Sequence, residues 1–462
     1  MKTNVDFSLP AELMEFASVI AEEGATLYAV GGLVRNTLLG LPVYDIDITS
    51  KVRPDRIIEI CEQRGYLAVP KGIDFGMIEV HIGSASFEHT TFRSDSYVEG
   101  GTHRPEKIEF SDTVEKDAFR RDFTVNALYI DVLTGEISDP TGGMRDLEER
   151  LIRTTSADPF VVLHDDGVRI LRMVRFAAEL GFEVEPNTFE TAKALVSNLN
   201  GISPERIRDE LNKILLCDIK YGERDANTVF HGLELLDGVG AIDVILPEIA
   251  RGGGMAQKPT HHRYDVLYHS LHTSAEIYPT ISFRLAGLLH DVGKPVVFEK
   301  YGKMHGHDGI GEGISREILQ RLRYDNETIR TVAFLVKNHM YDLNNTAKDS
   351  TLRRRFVAWG LENSYAVAEI READVHGSGV ITGEVKSAVR WRKLLKCMEA
   401  ENVPFSMSML KCSGEDIMRW LNLSPGPSVG DIKQRLLMHC ARFPSDNEPE
   451  KLKRIAHDMM KM

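Results

Sequence analysis

Apolar residues recur at helical spacing through residues 9–24, and the run stops at Gly24, so an amphipathic helix is expected there. Residues 26–30 are a short β-branched and aromatic run that leads into the glycine pair Gly31-Gly32. Residues 33–39 return to helical spacing, 44–49 alternate as a strand, and 54–64 read as a helix with Pro54 at its start. Two alternating runs, 76–82 and 85–93, predict a hairpin. Residues 94–117 are polar and glycine-bearing and are expected as a mobile loop. Strand pattern returns at 127–132, with a turn at Thr134-Gly135. Beyond residue 141 the strand pattern stops, and helical spacing broken by Gly and Pro continues to the end. The expectation is an α+β chain, a small mixed α/β head followed by an all-helical body and tail. The glycine run Arg251-Gly252-Gly253-Gly254 suggests one boundary, and residues 377–383 a second.

Composition narrows the class. A chain of 462 residues allows three or four domains. No apolar run reaches membrane length, and the first residues, Met1-Lys2-Thr3-Asn4, lack a signal-peptide pattern. The five cysteines are scattered without CxxC spacing, which indicates neither a zinc cage nor a disulfide framework and points to a reducing cytoplasm. A formal net charge of −13 argues against a molecule that binds nucleic acid over its whole surface, yet the arginines are clustered.

Three constellations carry chemistry. Asp45 and Asp47, in Tyr44-Asp45-Ile46-Asp47-Ile48-Thr49, would lie on one face of a strand and make a compact anionic site for Mg²⁺. Such a pair can hold two ions that clamp a phosphoryl displacement. The preceding Gly31-Gly32-Leu33-Val34-Arg35 lets backbone approach a phosphate closely. Taken alone, an Asp-x-Asp could equally be a solvated turn.

The second constellation repeats every three residues: Asp166, Arg169, Arg172 and Arg175. On a helix these are neighbours, and the plain reading is an Asp166–Arg169 ion pair with two solvated arginines. The functional reading is a cradle for a triphosphate. Asp only accepts hydrogen bonds and Arg only donates them. Cytosine and adenine each carry an amino donor beside a ring-nitrogen acceptor, whereas uracil and guanine reverse that order. An Asp166–Arg169 fork would therefore accept C and A with protein alone as the template. In Arg120-Arg121-Asp122-Phe123-Thr124-Val125-Asn126-Ala127, Arg121 would meet a phosphate and Asn126 would fix the sugar or a backbone turn. The third constellation is His269, His290-Asp291, His307, His339 and Asp374, a donor set suited to Mn²⁺, Ni²⁺, Co²⁺, Zn²⁺ or Fe²⁺. A metal there could activate water against a phosphate ester. The neighbouring His261, His262 and His272 show that histidine is simply abundant in this region.

Together these residues resemble the class II tRNA nucleotidyltransferases, the CCA-adding enzymes and their bacterial poly(A) polymerase relatives. The glycine-arginine turn, Asp-x-Asp, the Arg-Arg-Asp-Phe-Thr-x-Asn-Ala run, Asp139-Pro140 with Gly142-Gly143 and Asp146-Leu147, and Asp166-x-x-Arg169 stand in the family's order. Ser203-Pro204-Glu205-Arg206-Ile207 with Glu210 is similar to the helical element after the ladder. Residues 262–374 resemble an HD phosphohydrolase domain, and the segment around Gly414–Gly430 resembles the C-terminal region of the longer enzymes.

The resemblance implies a polymerase-β-like head at 1–140. It implies a helical neck and body at 141–255 for base selection and tRNA contact, an HD domain at 256–380, and a helical tRNA-binding region at 381–462. It implies that Asp45 and Asp47 hold catalytic Mg²⁺. Gly32, Arg35 and Arg121 would bind the nucleotide, Asp166 and Arg169 would read the base, and Arg172 and Arg175 would stabilise phosphates or the helix. His269, His290, Asp291, His307, His339 and Asp374 would bind a transition metal. The partners it implies are tRNA, CTP and ATP, with no membrane. Residues 94–109 correspond to the loop that full CCA-adding enzymes need for the final A. Three positions depart from the family pattern: Asn36 where Asp is usual, Asp165 where Glu is usual, and Gly167. Glu88 is a further carboxylate that could lie near the metals. The alternatives are a poly(A) polymerase or A-adding enzyme, or an HD phosphohydrolase with an RNA-binding head.

Overall fold

The computed structural model describes residues 7, 9–96, 107–222 and 225–461. It divides into two units. Residues up to Ala250, with Arg321–Arg323, form the first, and residues from Arg251 to Gln320 and from Tyr324 form the second.

In the first unit, α1 (Ala11–Glu22) buries Leu13, Phe16, Ala17, Val19 and Ile20, the apolar stripe its spacing predicts. It is followed by β1 (Tyr28–Val30), α2 (Gly32–Leu39), β2 (Asp47–Ser50), α3 (Pro54–Arg64), β3 (Leu67–Gly72), β4 (Met77–Ile82) and β5 (Ala85–Thr91). Next come β6 (Arg93–Ser96), β7 (Lys107–Phe110), α4 (Val114–Phe119), β8 (Tyr129–Asp131) and β9 (Ile137–Ser138). The mixed sheet runs β3-β4-β5-β2-β1-β8-β9, with β2 and β5 parallel and the other neighbours antiparallel. Val30, Ala127 and Tyr129 from its centre pack with Phe92 and Ala118 as a buried cluster.

The rest of the unit is α5 (Gly143–Glu149), β10 (Leu151–Ile152), α6 (Pro159–Asp165), α7 (Val168–Leu180), β11 (Glu183–Val184), α8 (Pro186–Ala194), α9 (Pro204–Leu215), α10 (Ala226–Gly238), α11 (Ala241–Ile245) and α12 (Pro247–Ala250).

Four expectations need correction. The strand predicted at 44–49 begins only at Asp47. Its antiparallel partner β1 ends at Val30, opposite Asp47, because Gly31 leaves the ladder at φ +72°. Asp45 therefore lies on the lead-in and not on the strand. Residues 67–72, not assigned from sequence, form β3 on the open edge of the sheet. The segment 94–117 holds β6 and β7, paired antiparallel, and α4; its residues 97–106 lie outside the described residues. Finally, strand structure continues past 141 as the parallel pair β10–β11, each only two residues long and too short to leave an alternating pattern.

The second unit is helical in its described residues: α13 (Val266–Glu276), α14 (Ile281–Leu289), α15 (Lys294–Tyr301), α16 (His307–Arg321), α17 (Asn326–Asn338), α18 (Asp349–Trp359), α19 (Leu361–Gly377), α20 (Lys386–Ala400), α21 (Gly414–Leu421), α22 (Pro427–Cys440) and α23 (Pro449–Met460). Residues 377–383 join α19 to α20 inside this unit. None of the described helices is long and apolar enough to cross a membrane.

Helices α13 and α19 meet backbone to backbone at Gly377. A Cβ there would stand 2.3 Å from Thr273 Oγ1 and 2.7 Å from Thr273 N. That approach sets His269 on α13 beside Asp374 on α19. Gly377→Ala is expected to push the helices apart and lower stability by about 1–3 kcal/mol. Urea unfolding followed by helical circular dichroism measures this, and an unchanged midpoint would contradict the packing account.

Candidate functional site

The head's site starts at the turn where β1 gives way to α2. Gly31 adopts φ +72° and ψ −126°, a backbone that only glycine takes without strain. A Cβ at Gly31 would lie 3.8 Å from both Asp47 Oδ2 and Arg121 Nη1, so the bare backbone sits against an anion and a cation at once. The N-terminus of α2 opens onto the same space through Gly32. Asp45 and Asp47 line this cavity of about 680 Å³ together with Gly31, Gly32, Arg35, Arg121, Asp122, Asn126, Asp166, Arg169, Arg172 and Arg175. Every nucleotide-site residue expected from sequence is therefore on one wall system. Asp47 is open to the cavity, but the walls strip enough water to raise its carboxyl pKa; Arg121 opposes that shift and Asp45 adds to it.

On its other side the aspartate pair faces a second cavity of about 650 Å³, lined by Glu79, Glu88 and Lys71 among others. Glu88 on β5 stands opposite Asp47 on β2, so the two carboxylates share one face of the sheet. Burial first, and then Asp47, raise the Glu88 pKa. A group of carboxylates with raised pKa values is stabilised by a bound divalent cation, and these residues fit Mg²⁺.

The arginines are held, not free. Arg35 is buried; its Nε and Nη2 donate to Asn36 Oδ1 at 3.0 and 2.8 Å, its Nη1 to Asn126 Oδ1 at 2.5 Å, and its Nη2 to Tyr221 Oη at 3.2 Å. Asn36 in turn donates to Pro42 O at 2.8 Å. An amide suits this position because Asn36 must both accept and donate. Arg121 donates to Tyr129 Oη at 2.9 Å and pairs with Asp117 at 3.1 Å. Arg120 pairs with the other Asp117 oxygen at 2.7 Å.

Asp122 is the centre of this network. Its Oδ1 accepts from Phe123 N at 2.8 Å and Asn126 Nδ2 at 3.2 Å, and its Oδ2 accepts from Arg172 at 2.6 Å. Burial alone would raise its pKa, but Arg172 and Arg169 hold it down at about 2. Asn126 thus fixes Arg35 to Asp122. Arg175 is buried against Glu210 at 3.0 Å and Glu179 at 3.8 Å. The guanidinium carbons of Arg35, Arg172 and Arg175 lie 5.1, 5.3 and 4.1 Å from the Phe176 ring centroid.

The ladder differs from its expected form at one end. Asp166 precedes α7, which begins at Val168, and its Oδ1 accepts the Val168 N–H at 3.1 Å. Its Oδ2 pairs with Arg206 of α9 at 2.6 Å, while Arg169 donates to Val162 O at 2.9 Å and Arg120 O at 2.7 Å. The sequence-local Asp166–Arg169 ion pair is replaced by a partner 40 residues away. Arg93, Asp95, Arg120, Arg206 and Lys213 also line the cavity and were not assigned to it from sequence. Of these, Arg120 and Arg206 stand within motifs quoted from the sequence, and Asp95 within the 94–109 loop.

In the second unit all six expected ligands converge. His269 lies on α13, His290 and Asp291 follow α14, His307 opens α16, His339 follows α17, and Asp374 lies on α19. The Nδ1 atoms of His290, His307 and His339 each stand 2.7 Å from a backbone carbonyl three residues earlier, those of Gly287, Met304 and Val336. A carbonyl only accepts, so Nδ1 carries a proton and Nε2 is the nitrogen turned toward the cluster. Those three Nε2 atoms face the cluster, with His290 Nε2 3.0 Å from His269 Nε2 and His307 Nε2 3.1 Å from His339 Nε2. Both Asp291 oxygens are within ion-pair range of histidine or Lys294, but neither accepts a well-aligned hydrogen bond. Burial would lower the His290 pKa, yet Asp291 and Asp374 push it up to about 10, so without metal its Nε2 carries a proton that a bound ion would replace. Nε2 atoms fixed inward beside buried carboxylates are what a transition-metal site requires.

Three family models match the chain: "Poly A polymerase head domain" over residues 27–153, "Probable RNA and SrmB- binding site of polymerase A" over 181–252, and "HD domain" over 266–374. The chain is 32% identical over 375 residues to a Deinococcus radiodurans protein named A-adding tRNA nucleotidyltransferase, covering 77% of this chain and 82% of that one. It is 40% identical over 197 residues to the CCA-adding enzyme of Ligilactobacillus salivarius, a match spanning 43% of this chain and 47% of the relative. The fold is similar to that of the Bacillus stearothermophilus CCA-adding enzyme solved with CTP, with a TM-score of 0.68, 24% identity and 97% of each chain covered.

The Asp122 network gives a pH-dependent expectation. Its folded pKa is depressed, so its contribution is present above the unfolded value of about 3.9 and is lost as pH falls toward about 2. Asp122→Asn should cost about 1–3 kcal/mol by leaving Arg172 without its anion. The difference from the wild type should be constant between pH 7 and 5 and shrink below about pH 4. Urea unfolding at stepped pH tests this, and a difference that already declines between pH 7 and 5 would contradict the assignment.

Proposed function

The chain belongs to the tRNA nucleotidyltransferases and carries an HD domain, and from that premise we propose that it adds C, C and A to tRNA 3′ ends from CTP and ATP. The observation that carries this reading is the meeting of Asp45 and Asp47 with an arginine-lined cavity whose wall also holds Asp166 and Arg169. The tRNA 3′-hydroxyl oxygen bonds to the α-phosphorus, the α–β phosphoanhydride bond breaks, and pyrophosphate leaves. Asp45 and Asp47 would hold Mg²⁺, which when bound supplies Lewis-acid stabilisation of the attacking and leaving oxygens. Arg121 faces the aspartate pair and offers its charge to the triphosphate, while Arg172 and Arg175 set the field of the opposite wall. Arg35 acts as a positioning residue, since its donors are taken by Asn36, Asn126 and Tyr221.

Base choice would rest on Asp166, Arg169 and Arg206. Asp166 accepts from the amino group of C or A once Arg206 yields, and guanidinium donors meet the ring nitrogen. A wrong base would leave a buried donor or acceptor unpaired at about 1–3 kcal/mol. The helices beyond the head would grip tRNA by shape and phosphate contacts. His269, His290, Asp291, His307, His339 and Asp374 would bind a transition metal such as Mn²⁺, Ni²⁺ or Co²⁺, giving a phosphohydrolase site in addition to the transferase site. The protein would work in the reducing cytoplasm, where its free cysteines stay reduced.

A second reading, addition of the terminal A alone, is favoured by the name of the Deinococcus relative that covers most of the chain. Incubation with a tRNA transcript lacking its CCA end, with CTP and ATP separately and together, followed by product sequencing, separates the two. The expected product is C-C-A. Failure to add C to that transcript, with A added to one ending in C-C, would establish the A-adding reading instead. Asp45→Ala with Asp47→Ala should lower incorporation by on the order of 10³-fold. Undiminished incorporation by that double variant would overturn the catalytic assignment.

A further inference from the structure

Asp45 is the less supported of the two aspartates in the head. Asp47 opens β2 and pairs in register with Val30 and Glu88, whereas Asp45 stands on the lead-in, outside the ladder. The lead-in is held at Pro42, whose carbonyl accepts from Asn36 Nδ2 at 2.8 Å, and at Ile46, whose carbonyl accepts from Glu88 N at 3.4 Å. Asp45 and Asp47 line the same two cavities, so their charges repel across this short stretch. Tyr44, the residue before Asp45, is 59% exposed, so burial does not fix it. Its anchors come from a segment 176 residues later: Tyr44 Oη donates to Lys220 O at 2.8 Å. The Tyr44 ring lies on that of Tyr221, with centroids 6.4 Å apart and planes 22° from parallel. Lys220 Nζ caps both rings, 5.0 Å from the Tyr44 centroid and 6.0 Å from that of Tyr221.

The anchoring segment is itself rooted. It follows α9 through a 3-10 turn, Cys217–Ile219, in which Cys217 and Asp218 are buried. Tyr221 Oη also accepts from Arg35 Nη2 at 3.2 Å, and Arg35 reaches Asp122 through Asn126. Lys220-Tyr221 therefore grips the glycine-turn region on both sides, at Arg35 of α2 and at Tyr44 beside Asp45. Resting on the reading that Asp45 and Asp47 hold Mg²⁺ for nucleotidyl transfer, we propose that the Tyr44–Tyr221 stack is a positioning device that holds Asp45 where it can share a cation with Asp47. Both tyrosines act through the backbone of the lead-in, as positioning residues. The stack also couples the aspartate pair to the arginine network, because Tyr221 touches Arg35 and Tyr44 at once.

The full chain is tested as wild type, Tyr44→Ala, Tyr44→Phe and Tyr221→Ala. The first readout is CTP binding by calorimetry without primer, in Mg²⁺ and in chelator, which needs no turnover. Tyr44→Ala should leave the affinity in chelator unchanged and reduce the gain given by Mg²⁺ about 10-fold. Tyr221→Ala, which leaves the lead-in sequence intact, should reduce that gain as well. A wild-type gain in either alanine variant overturns the proposal. Tyr44→Phe keeps the stack, and water can replace its hydroxyl at the exposed Lys220, so it should recover most of the gain. A Tyr44→Phe chain as impaired as Tyr44→Ala overturns the stack. The second readout is incorporation, where Tyr44→Ala should lower kcat about 10-fold with KM for tRNA unchanged. A raised KM for tRNA with kcat and the Mg²⁺ gain intact would make the ring a primer contact and overturn the positioning role. Wild-type CTP binding that ignores Mg²⁺ would overturn the transferase reading, and the proposal with it. Circular dichroism checks that each variant is folded; should the alanine variants fail, Tyr44→Leu, which keeps bulk without a ring, replaces them in both readouts.

Discussion

Like charges brought together in one cavity repel, and the first unit holds them there. Arg35, Arg121, Arg169, Arg172 and Arg175 line a single space, and water cannot screen them fully. The arrangement survives because carboxylates are set into the wall behind it: Asp117 behind Arg120 and Arg121, Asp122 behind Arg172, and Glu210 behind Arg175. Phe176 gives three of the guanidiniums a common face to lie against. A site built this way is preorganised for a polyanion, because the cost of assembling the cations is met in folding and not at each turnover.

The opposite charge enters the same cavity at one edge, through Asp45 and Asp47. Asp45, Asp47 and Glu88 also look into a second cavity, which Glu79 and Lys71 line as well, and Gly31 lies against both Asp47 and Arg121. A nucleotide triphosphate and a pair of cations want opposite fields within a few ångströms of each other. A glycine turn at the end of a strand is the least bulky way to provide both. The same economy recurs in the second unit, where Gly377 lets two helices touch so that a histidine and an aspartate from different helices share one centre.

Features written into local spacing were legible in the sequence. The three-residue period of Arg169, Arg172 and Arg175 forced them onto one face of α7, and Pro54 and the alternation after Gly76 fixed α3 and the β4–β5 hairpin. What spacing could not reveal was partnership across the chain. Asp122 meets Arg172 fifty residues on, and Asp166 meets Arg206 forty residues on, so the local Asp166–Arg169 pair gave way to a tertiary one. The start of β2 was hidden for a related reason, because a strand ends where its neighbour leaves the ladder, and here that neighbour is β1 at Gly31. Convergence of the six metal-site residues was suggested by residue type, but it depends on the packing of five separate helical segments.

The central claim is that protein side chains, not a nucleic-acid strand, choose the base. It is tested most directly by measuring kcat/KM for CTP, ATP, UTP and GTP with the wild type and with Asp166→Asn. Asn keeps the size of Asp but replaces an oxygen acceptor with a donor. The account predicts that preference for C and A over U and G falls by about 5–150-fold, the equivalent of about 1–3 kcal/mol. An equal loss for all four nucleotides, with the preference ratio unchanged, would contradict it.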